Sequence, residues 1–398
     1  MLCRNNFKSG MDLDSSPNPR ILFLVTESYY FASHKMELAA AAVEAGYNVT
    51  VAARCDNVEQ FAGADFKVVP LAWKRTGSIL SAVFGLVPDL LRVRAVLAHE
   101  NPDVVHNISL KPAIIGSIAA FGRKVKVINS VNGFGYVFYA RSLLAKAVQL
   151  GCGFVLRQSA KRNDARIVLQ NREDATYARE GMGIKDGQVR MIRGSGIDTE
   201  RFVPQTEPKS PPMRFLILAR LLHMKGIQVA VAAFELLRQQ GVDAELVVCG
   251  APDSGNPSSI PDALVKKWSD VSGVTFKGQV ADVRSEIAES HVVMLPALGG
   301  EGLPRALLEA AAMERPLLAT DIGGNREIVI PWETGMLVPP DDPEALASAM
   351  AWMASHPADR ERLGKAARQK VLGEFSSELI RSQHVTLYQD SIDQSTRS

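Results

Sequence analysis

Short apolar, β-branched runs alternate with segments of helical periodicity along most of the chain. Strands that alternate with helices in this way indicate parallel sheets with crossover helices. In the first half the apolar runs predict strands at 21–25, 49–53, 67–69, 104–106, 125–129 and 167–169. In the second half they predict strands at 215–218, 245–249, 274–276, 292–295 and 317–319. Helices are predicted between them, for example one at residues 34–45 that is closed by Gly46.

The pattern restarts after a stretch rich in proline and polar residues at positions 203–212. We therefore predict two α/β, doubly wound domains, one at residues 20–204 and one at 213–375, with a linker at 205–212. In such folds ligands bind beyond the carboxyl ends of the strands, so a cleft between the domains is expected. Residues 1–19 have the composition of a disordered tail, and 376–398 are expected to form a final helix and tail.

Composition narrows the function classes. A net charge of +2 over 398 residues argues against a nucleic-acid-binding protein. The four cysteines are scattered without metal-ligand spacing, which predicts no zinc site and fits a reducing cytosol. No apolar run reaches the roughly 18 residues of a membrane span, and the N-terminus lacks the apolar core of a signal peptide. We expect a cytoplasmic protein.

The most informative segment is residues 295–329, which predicts a strand, a glycine-rich turn, a short helix and a second strand. Pro304 suits the first position of that helix. The free N–H groups of Leu303, Arg305 and Ala306 would then form a phosphate site with the helix dipole. A ligand can approach the turn closely because three of its residues lack a Cβ atom: Gly299, Gly300 and Gly302.

Two carboxylates, Glu301 and Glu309, lie eight residues apart across this turn. A carboxylate beside a phosphate is unfavourable unless it binds hydroxyl groups instead. A sugar attached to a nucleoside diphosphate provides phosphates and hydroxyls at this spacing.

This E-x7-E segment, followed by EAAAMERPLLATDIGG, resembles the donor-site signature of retaining glycosyltransferases of family four, which have the GT-B fold. The resemblance continues through ARLLHMKG (219–226) and GSGID (194–198). In the first half, HNISLKPAIIGSIAA, NSVNGFGYVF and VLQNREDA resemble a bacterial branch that adds an N-acetylhexosamine to an undecaprenyl-diphosphate-linked sugar. In all, the match runs from about residue 21 to residue 387, and it implies that the final helix crosses back onto the first domain.

The resemblance implies roles for the residues of the second half. Arg220 and Lys225 would hold the diphosphate and stabilise its charge without a metal or other cofactor. Glu309 would bind the ribose and Glu301 the donor sugar. Gly278 would open the loop on which the base stacks, although a plain turn glycine is an equally good interpretation.

In the first half we predict three acceptor-binding residues. His34 follows strand one, where it could contact the donor phosphate or cap a helix. His106 ends strand four and should face the cleft, although a core histidine is the alternative. Lys111 opens a helix, where its charge opposes the helix dipole, so we expect an anionic partner such as an acceptor diphosphate.

Asn132 is a departure from the family pattern. Many members place a histidine at this point of the loop after strand five, beside the reacting carbon. Asn132 cannot act as a base near neutral pH, so it could only orient the sugar or the acceptor. The departing diphosphate would then accept the acceptor's proton itself.

Residues 141–166 combine six arginines or lysines and one aspartate with interspersed apolar residues. A basic amphipathic segment of this kind can lie on an anionic membrane surface, and the alternative is an ordinary helix packed on the sheet.

The sequence thus predicts a retaining transferase that moves a sugar, preferably an N-acetylhexosamine such as GalNAc, from a UDP-sugar to a polyprenyl-diphosphate-linked saccharide. It would act at the inner face of the cell membrane. Three alternatives stay open: a capsule or lipopolysaccharide transferase using another hexose, a UDP-sugar 2-epimerase, and a non-catalytic nucleotide-sugar sensor.

Overall fold

The computed structural model describes residues 18–55, 59–73, 79–134, 143–209, 211–253, 256 and 258–396. The predicted tail at 1–19 therefore lies almost wholly outside the described residues.

A parallel sheet of seven described strands forms the first half, in the order β3-β2-β1-β4-β5-β6-β7. Its strands are β1 (Arg20–Glu27), β2 (Asn48–Arg54), β3 (Lys67–Pro70), β4 (Val104–Ile108), β5 (Lys126–Val131), β6 (Arg166–Leu169) and β7 (Val189–Met191). The first six confirm the predicted strands within a few residues. Strand β7 was not predicted, because Arg190 interrupts its apolar run.

The helices of the first half cover both faces of this sheet. They are α1 (Ser28–His34), α2 (Met36–Glu44), α3 (Ile79–Glu100), α4 (Leu110–Ala119), α5 (Leu143–Asn163) and α6 (Arg172–Thr176). The predicted helix at 34–45 was partly wrong: the chain is already helical from Ser28, and Lys35 breaks the path with φ −133° and ψ 1°. Gly46, with φ +90°, follows the helix end as predicted.

The second half contains a parallel sheet of six described strands in the order β10-β9-β8-β11-β12-β13. These are β8 (Met213–Leu218), β9 (Ala244–Cys249), β10 (Val274–Gly278), β11 (Val292–Leu295), β12 (Leu317–Thr320) and β13 (Gly335–Val338). Only β13 was not predicted. The helices are α7 (Ile227–Gln239), α8 (Asp262–Ser269), α9 (Val283–Ala288), α10 (Arg305–Ala312), α11 (Gly323–Arg326), α12 (Pro343–Ser355) and α13 (Pro357–Glu374).

Alternate residues of the central strands pack into two separate cores. In β8, Phe215 and Ile217 join a cluster with α7 and α12, whereas Leu216 and Leu218 join a cluster with α10 and α13. Because successive side chains of a strand point to opposite faces, a strand covered on both faces is apolar throughout. This explains why the strands read as continuous apolar runs in the sequence.

The last described helix, α14 (Ser377–Thr396), returns to the first half. It packs on α2 and β4, and Tyr388 is fully buried among first-half residues. The predicted return helix is confirmed. The two sheets fall inside the predicted domain ranges, while the exact boundaries and the linker stay a prediction. None of the helices within the described residues has the length and apolar character needed to cross a membrane.

Candidate active site

A cavity of about 1320 Å³ lies between the two halves. The order of each sheet reverses at one place, between β1 and β4 in the first half and between β8 and β11 in the second. The segments that follow β1, β8 and β11 all line the cavity. The predicted cleft is therefore present at the positions where doubly wound sheets bind ligands.

The glycine-rich turn forms one wall of the cavity. Gly300 adopts φ +75°, a conformation that favours glycine. Gly302 touches the other half: a Cβ atom there would lie 1.7 Å from the carbonyl oxygen of Asn132. Leu303 and Pro304 also line the cavity. Pro304 occupies the cap position rather than the predicted first helical position, since α10 begins at Arg305.

Further contacts hold this turn against the first half. The side-chain amide of Asn171 donates to the carbonyl of Gly302 at 3.2 Å. Glu327, which the sequence left without a role, accepts from the backbone N–H of Arg172 at 2.8 Å and pairs with Arg193 at 3.3 Å. The two halves are thus in direct contact beside the cavity.

Glu309 lies one turn into α10 and lines the cavity although it is only 8% exposed. Arg305 Nε donates to its carboxylate at 2.7 Å, and Arg305 Nη1 donates to the carbonyl of Ser33 at 3.0 Å. Burial raises the pKa of Glu309, while Arg305 opposes the shift. The Arg305 side chain was not predicted, yet its place one turn before Glu309 in the helix could have revealed it.

Lys225 and Glu301 form an ion pair in the cavity wall. Both side chains are mostly buried, at 19% and 12% exposed, so the pair is shielded from solvent. The structure therefore brings the two predicted residues together, with the Glu301 carboxylate paired to the Lys225 ammonium.

Arg220 lines the same cavity and remains the more exposed cation. Its guanidinium donates to Asp253 at 2.8 Å and its side chain is 59% exposed. Gly278 does not line the cavity itself. It has φ +70°, and the next two residues, Gln279 and Val280, do line it. This placement is compatible with the predicted base-binding loop.

His34 lines the cavity from the first half. Its ring stacks on Tyr30 with centroids 4.4 Å apart, and its Nδ1 lies 2.6 Å from the hydroxyl of Ser33. Burial lowers the pKa of His34 to about 4, helped by the nearby Arg305 and Lys35 charges. The imidazole is therefore neutral at neutral pH.

The prediction for His106 was wrong. Its ring is fully buried, with one nitrogen 2.8 Å from the hydroxyl of Tyr388 and the other 2.6 Å from that of Ser130. Tyr388 belongs to the return helix, which covers this side of β4. His106 is a core histidine with both nitrogens satisfied, which was the stated alternative.

The acceptor role of Lys111 stays a prediction, and the structure gives its side chain a partner within the first half. Its ammonium pairs with Asp89 at 2.9 Å and lies 4.7 Å from the ring centroid of Trp73. It does not line the cavity. The anionic partner that its position implied is a carboxylate of the same domain.

Asn132 lines the cavity and joins two residues that the sequence did not single out. Its side-chain nitrogen donates to the hydroxyl of Tyr30 at 2.7 Å, and its oxygen accepts from Gln170 at 2.7 Å. Asn132 and Gln170 directly follow β5 and β6, and Tyr30 lies in the helix after β1. Because polar residues at the carboxyl ends of parallel strands face the cleft, that position was the available signal.

Much of the predicted membrane segment forms α5, which continues through Gly151 and Gly153. Leu150 is 76% exposed and Phe154 is 63% exposed, while Leu156 is buried in the core. Residues 141 and 142 lie outside the described part of the chain.

Two family models match the chain. Residues 198–370 match "Glycosyl transferases group 1", and residues 32–194 match "Glycosyl transferase 4-like domain". The boundary between the two matches lies just after β7.

Two of the curated relatives are bacterial proteins of polysaccharide biosynthesis. The putative colanic acid biosynthesis glycosyltransferase WcaL of Escherichia coli K12 is 27% identical over 78% of this chain and 74% of its own. The capsular polysaccharide biosynthesis glycosyltransferase CapM of Staphylococcus aureus is 24% identical over 79% of this chain and 83% of its own.

Solved structures share the fold. Sucrose-phosphate synthase from Thermosynechococcus elongatus has a TM-score of 0.78 at 21% identity, covering 94% of this chain and 99% of its own. Anabaena Alr3699/HepE, solved in complex with UDP, has a TM-score of 0.72 at 16% identity. The match covers 93% of this chain and 100% of the Anabaena chain. The predicted two-domain fold, GT-B, is confirmed.

Proposed function

We propose that this chain, which belongs to the glycosyltransferases, moves a sugar from a uridine diphosphate sugar to a polyprenyl-diphosphate-linked saccharide with retention of configuration. The observation that supports this most is the wall of the cavity. There, Arg220, Lys225 and the start of α10 lie beside the carboxylates Glu301 and Glu309. Cations and a helix N-terminus suit a diphosphate, and carboxylates suit hydroxyl groups.

On this proposal the donor occupies the second-half wall. Arg220 and Lys225 hold the diphosphate and stabilise the charge that develops as the glycosidic bond breaks. Glu309 accepts from the ribose hydroxyls, and Glu301 exchanges its bond with Lys225 for hydroxyls of the donor sugar. Gln279 and Val280, after Gly278, support the base.

The acceptor approaches from the first half, where Asn132 and His34 orient the reacting groups. Asn132 has no basic nitrogen, and a histidine with a pKa of about 4 is a weak base at neutral pH. The departing diphosphate is therefore the proposed proton acceptor. Bond breaking and proton transfer then occur on the same face of the sugar, which retains its configuration. No metal or other cofactor is assigned a role.

A lipid-linked acceptor requires access to a membrane surface. The exposed Leu150 and Phe154 lie on α5 among basic residues, which suits peripheral contact with anionic lipid at the cytoplasmic face. An N-acetylhexosamine such as GalNAc is the proposed sugar.

Thermal shift with a panel of nucleotides and nucleotide sugars, with and without EDTA, tests the donor site. A ligand that binds only the folded state raises the melting temperature. We expect stabilisation by UDP and by a UDP-N-acetylhexosamine, persisting in EDTA, followed by transfer to a polyprenyl-diphosphate-linked acceptor. Complete loss of transfer in EDTA would contradict the metal-free mechanism.

A second candidate is favoured by the relatives, which are described as colanic acid and capsular polysaccharide transferases. On that alternative the chain transfers another hexose during capsule or lipopolysaccharide assembly. Stabilisation by a different nucleotide sugar, and transfer from it alone, would select this candidate.

A further inference from the structure

Three neutral side chains of the first half form a hydrogen-bonded chain at the cavity. Gln170 Nε2 donates to Asn132 Oδ1 at 2.7 Å, and Asn132 Nδ2 donates to the Tyr30 hydroxyl oxygen at 2.7 Å. The three residues follow three different strands, β6, β5 and β1. These two hydrogen bonds therefore connect the segments that follow three strands of the sheet.

The direction of these hydrogen bonds leaves the Tyr30 hydroxyl proton free to donate. An amide nitrogen only donates, so the Tyr30 oxygen must accept from Asn132. The phenolic proton is then not engaged by Asn132, and no acceptor for it occurs among the residues that the structure describes. Burial raises the pKa of Tyr30 to about 12, so the hydroxyl keeps its proton at neutral pH.

The hydrogen-bonded residues Gln170, Asn132 and Tyr30 lie against the second-half wall of the cavity. Gly302 is in contact with the carbonyl of Asn132, and a Cβ atom there would lie 3.1 Å from Gln170 Oε1. Arg305, the first residue of α10, bonds the carbonyl of Ser33 on the helix that carries Tyr30. Tyr30 therefore lies close to the N-terminal end of α10.

The Tyr30 ring is held in one orientation. It stacks on His34 at 4.4 Å with an interplanar angle of 14°, and it is partly exposed to the cavity. Because the ring is fixed and the hydroxyl oxygen already accepts from Asn132, the hydroxyl proton can point in few directions. The direction that is open to it leads into the cavity.

We propose that the Tyr30 hydroxyl donates its hydrogen bond to an anionic oxygen of the donor's diphosphate, and that Asn132 and Gln170 are positioning residues that direct it. This inference rests on the proposed function and assigns a contact of the donor to the first half. The nearby charges favour an anionic oxygen, because Arg305 and the helix N-terminus both create positive potential there.

The hydrogen bond from Tyr30 to the diphosphate should also strengthen during the reaction. Negative charge grows on the leaving diphosphate as the sugar departs. A preoriented O–H group therefore binds the departing diphosphate more strongly than the diphosphate of the intact nucleotide sugar. Because Tyr30 belongs to the opposite half, the bond depends on the contact that the two halves make beside the cavity.

The test is Tyr30→Phe, which keeps the ring and its stacking on His34. We expect kcat/KM for the nucleotide sugar to fall about 10–100-fold, as for loss of a hydrogen bond to a charged group, with KM for the acceptor unchanged. Tyr29→Phe is the matched control, since Tyr29 is the preceding residue and is 54% exposed. It should behave as the wild type.

Gln170→Met tests the positioning role. Without the Gln170 donor, the Asn132 amide can rotate and offer its oxygen to the Tyr30 proton, so kcat/KM should fall about tenfold. The double variant Tyr30→Phe with Gln170→Met should be no worse than Tyr30→Phe alone, since the two changes remove one bond. Additive losses would overturn the positioning role.

Two results separate this inference from the proposed function. If the wild type transfers sugar and Tyr30→Phe has the same kcat/KM, or only a raised KM for the acceptor, then the Tyr30 inference fails alone. If the wild type neither binds UDP nor transfers from any nucleotide sugar, both fail. Weaker UDP binding by Tyr30→Phe than by Tyr29→Phe in calorimetry would support it independently of turnover.

Discussion

The two walls of the cavity differ in charge. The second-half wall presents cations that are each bonded to a carboxylate, as in Lys225 with Glu301 and Arg220 with Asp253. The first-half wall presents neutral groups, namely the amides of Asn132 and Gln170, the phenol of Tyr30 and the neutral imidazole of His34.

This difference shows how the cavity can suit two substrates of different chemistry. Paired charges hold the second-half wall in place, and on the proposed function an entering diphosphate can replace a carboxylate as the partner of a cation. On the proposed function, the neutral amides of the first-half wall suit the hydroxyl groups of a saccharide, while the Tyr30 hydroxyl is the one neutral group there that reaches the diphosphate.

Lys225→Ala should have the largest effect. It removes a mostly buried cation and leaves Glu301 without its partner, so we expect kcat to fall about 100-fold or more, with UDP affinity falling less. Steady-state kinetics with calorimetry for UDP measures both. Lys365→Ala, on the exposed surface of α13, is the control. Unchanged kinetics would place the donor elsewhere.

Gly302→Ala should disrupt the contact between the two walls. Its Cβ would meet the Asn132 carbonyl, so the turn or the first half must shift, at a cost of about 1–3 kcal/mol. We expect kcat/KM to fall about tenfold and the melting temperature to drop. Gly151→Ala, where a Cβ meets nothing within 4 Å, serves as the comparison. If the two variants behave alike, the close approach is unimportant.

Glu309→Gln should weaken UDP binding by about tenfold while changing kcat little, because the proposed ribose contact would be made equally in the ground and transition states. Calorimetry with UDP measures this. Glu361→Gln, an exposed carboxylate on α13, should bind UDP as the wild type does. A large loss of kcat with normal UDP affinity would contradict the ribose role.

The last effect is on stability in acid, and it should come from histidines that are buried in or against the first half. Burial lowers the pKa of His34 to about 4 and the pKa of His384 to about 3. Burial also lowers the pKa of His106 well below its usual value. The nearby charge of Lys35 adds to all three shifts. Below pH 6.5 the unfolded chain takes up protons that the folded chain does not. Stability should therefore be full above pH 6.5 and decline as the pH falls towards 4.

Urea unfolding at pH 7.0, 6.0 and 5.0 tests this decline. The variant His384→Leu should show a shallower dependence on pH between 6.5 and 5, whatever its absolute stability. His99→Gln, at an exposed position, should keep the wild-type dependence. A parallel decline in all three proteins would show that other groups cause it.

Much of the architecture followed from local sequence. The alternation of apolar runs and helical segments predicted most strands of both sheets, since a doubly covered strand must be apolar whatever its neighbours are. The glycine turn with Glu301 and Glu309 was also visible, because backbone conformation and spacing along one helix are set by adjacent residues. The sequence also placed Lys225 and Arg220 at the cavity, because both residues follow the same strand, β8, within a few positions.

Only the tertiary structure decided which residues of the first half reach the cavity. His106 is buried because Tyr388, 282 residues later, returns to cover it, and Lys111 is occupied by Asp89 from a neighbouring helix. Tyr30 and Gln170 gain their place through bonds to Asn132 from other strands. These outcomes depend on the packing of distant segments, whereas the turn and the strands depend on residues that are close together in the chain.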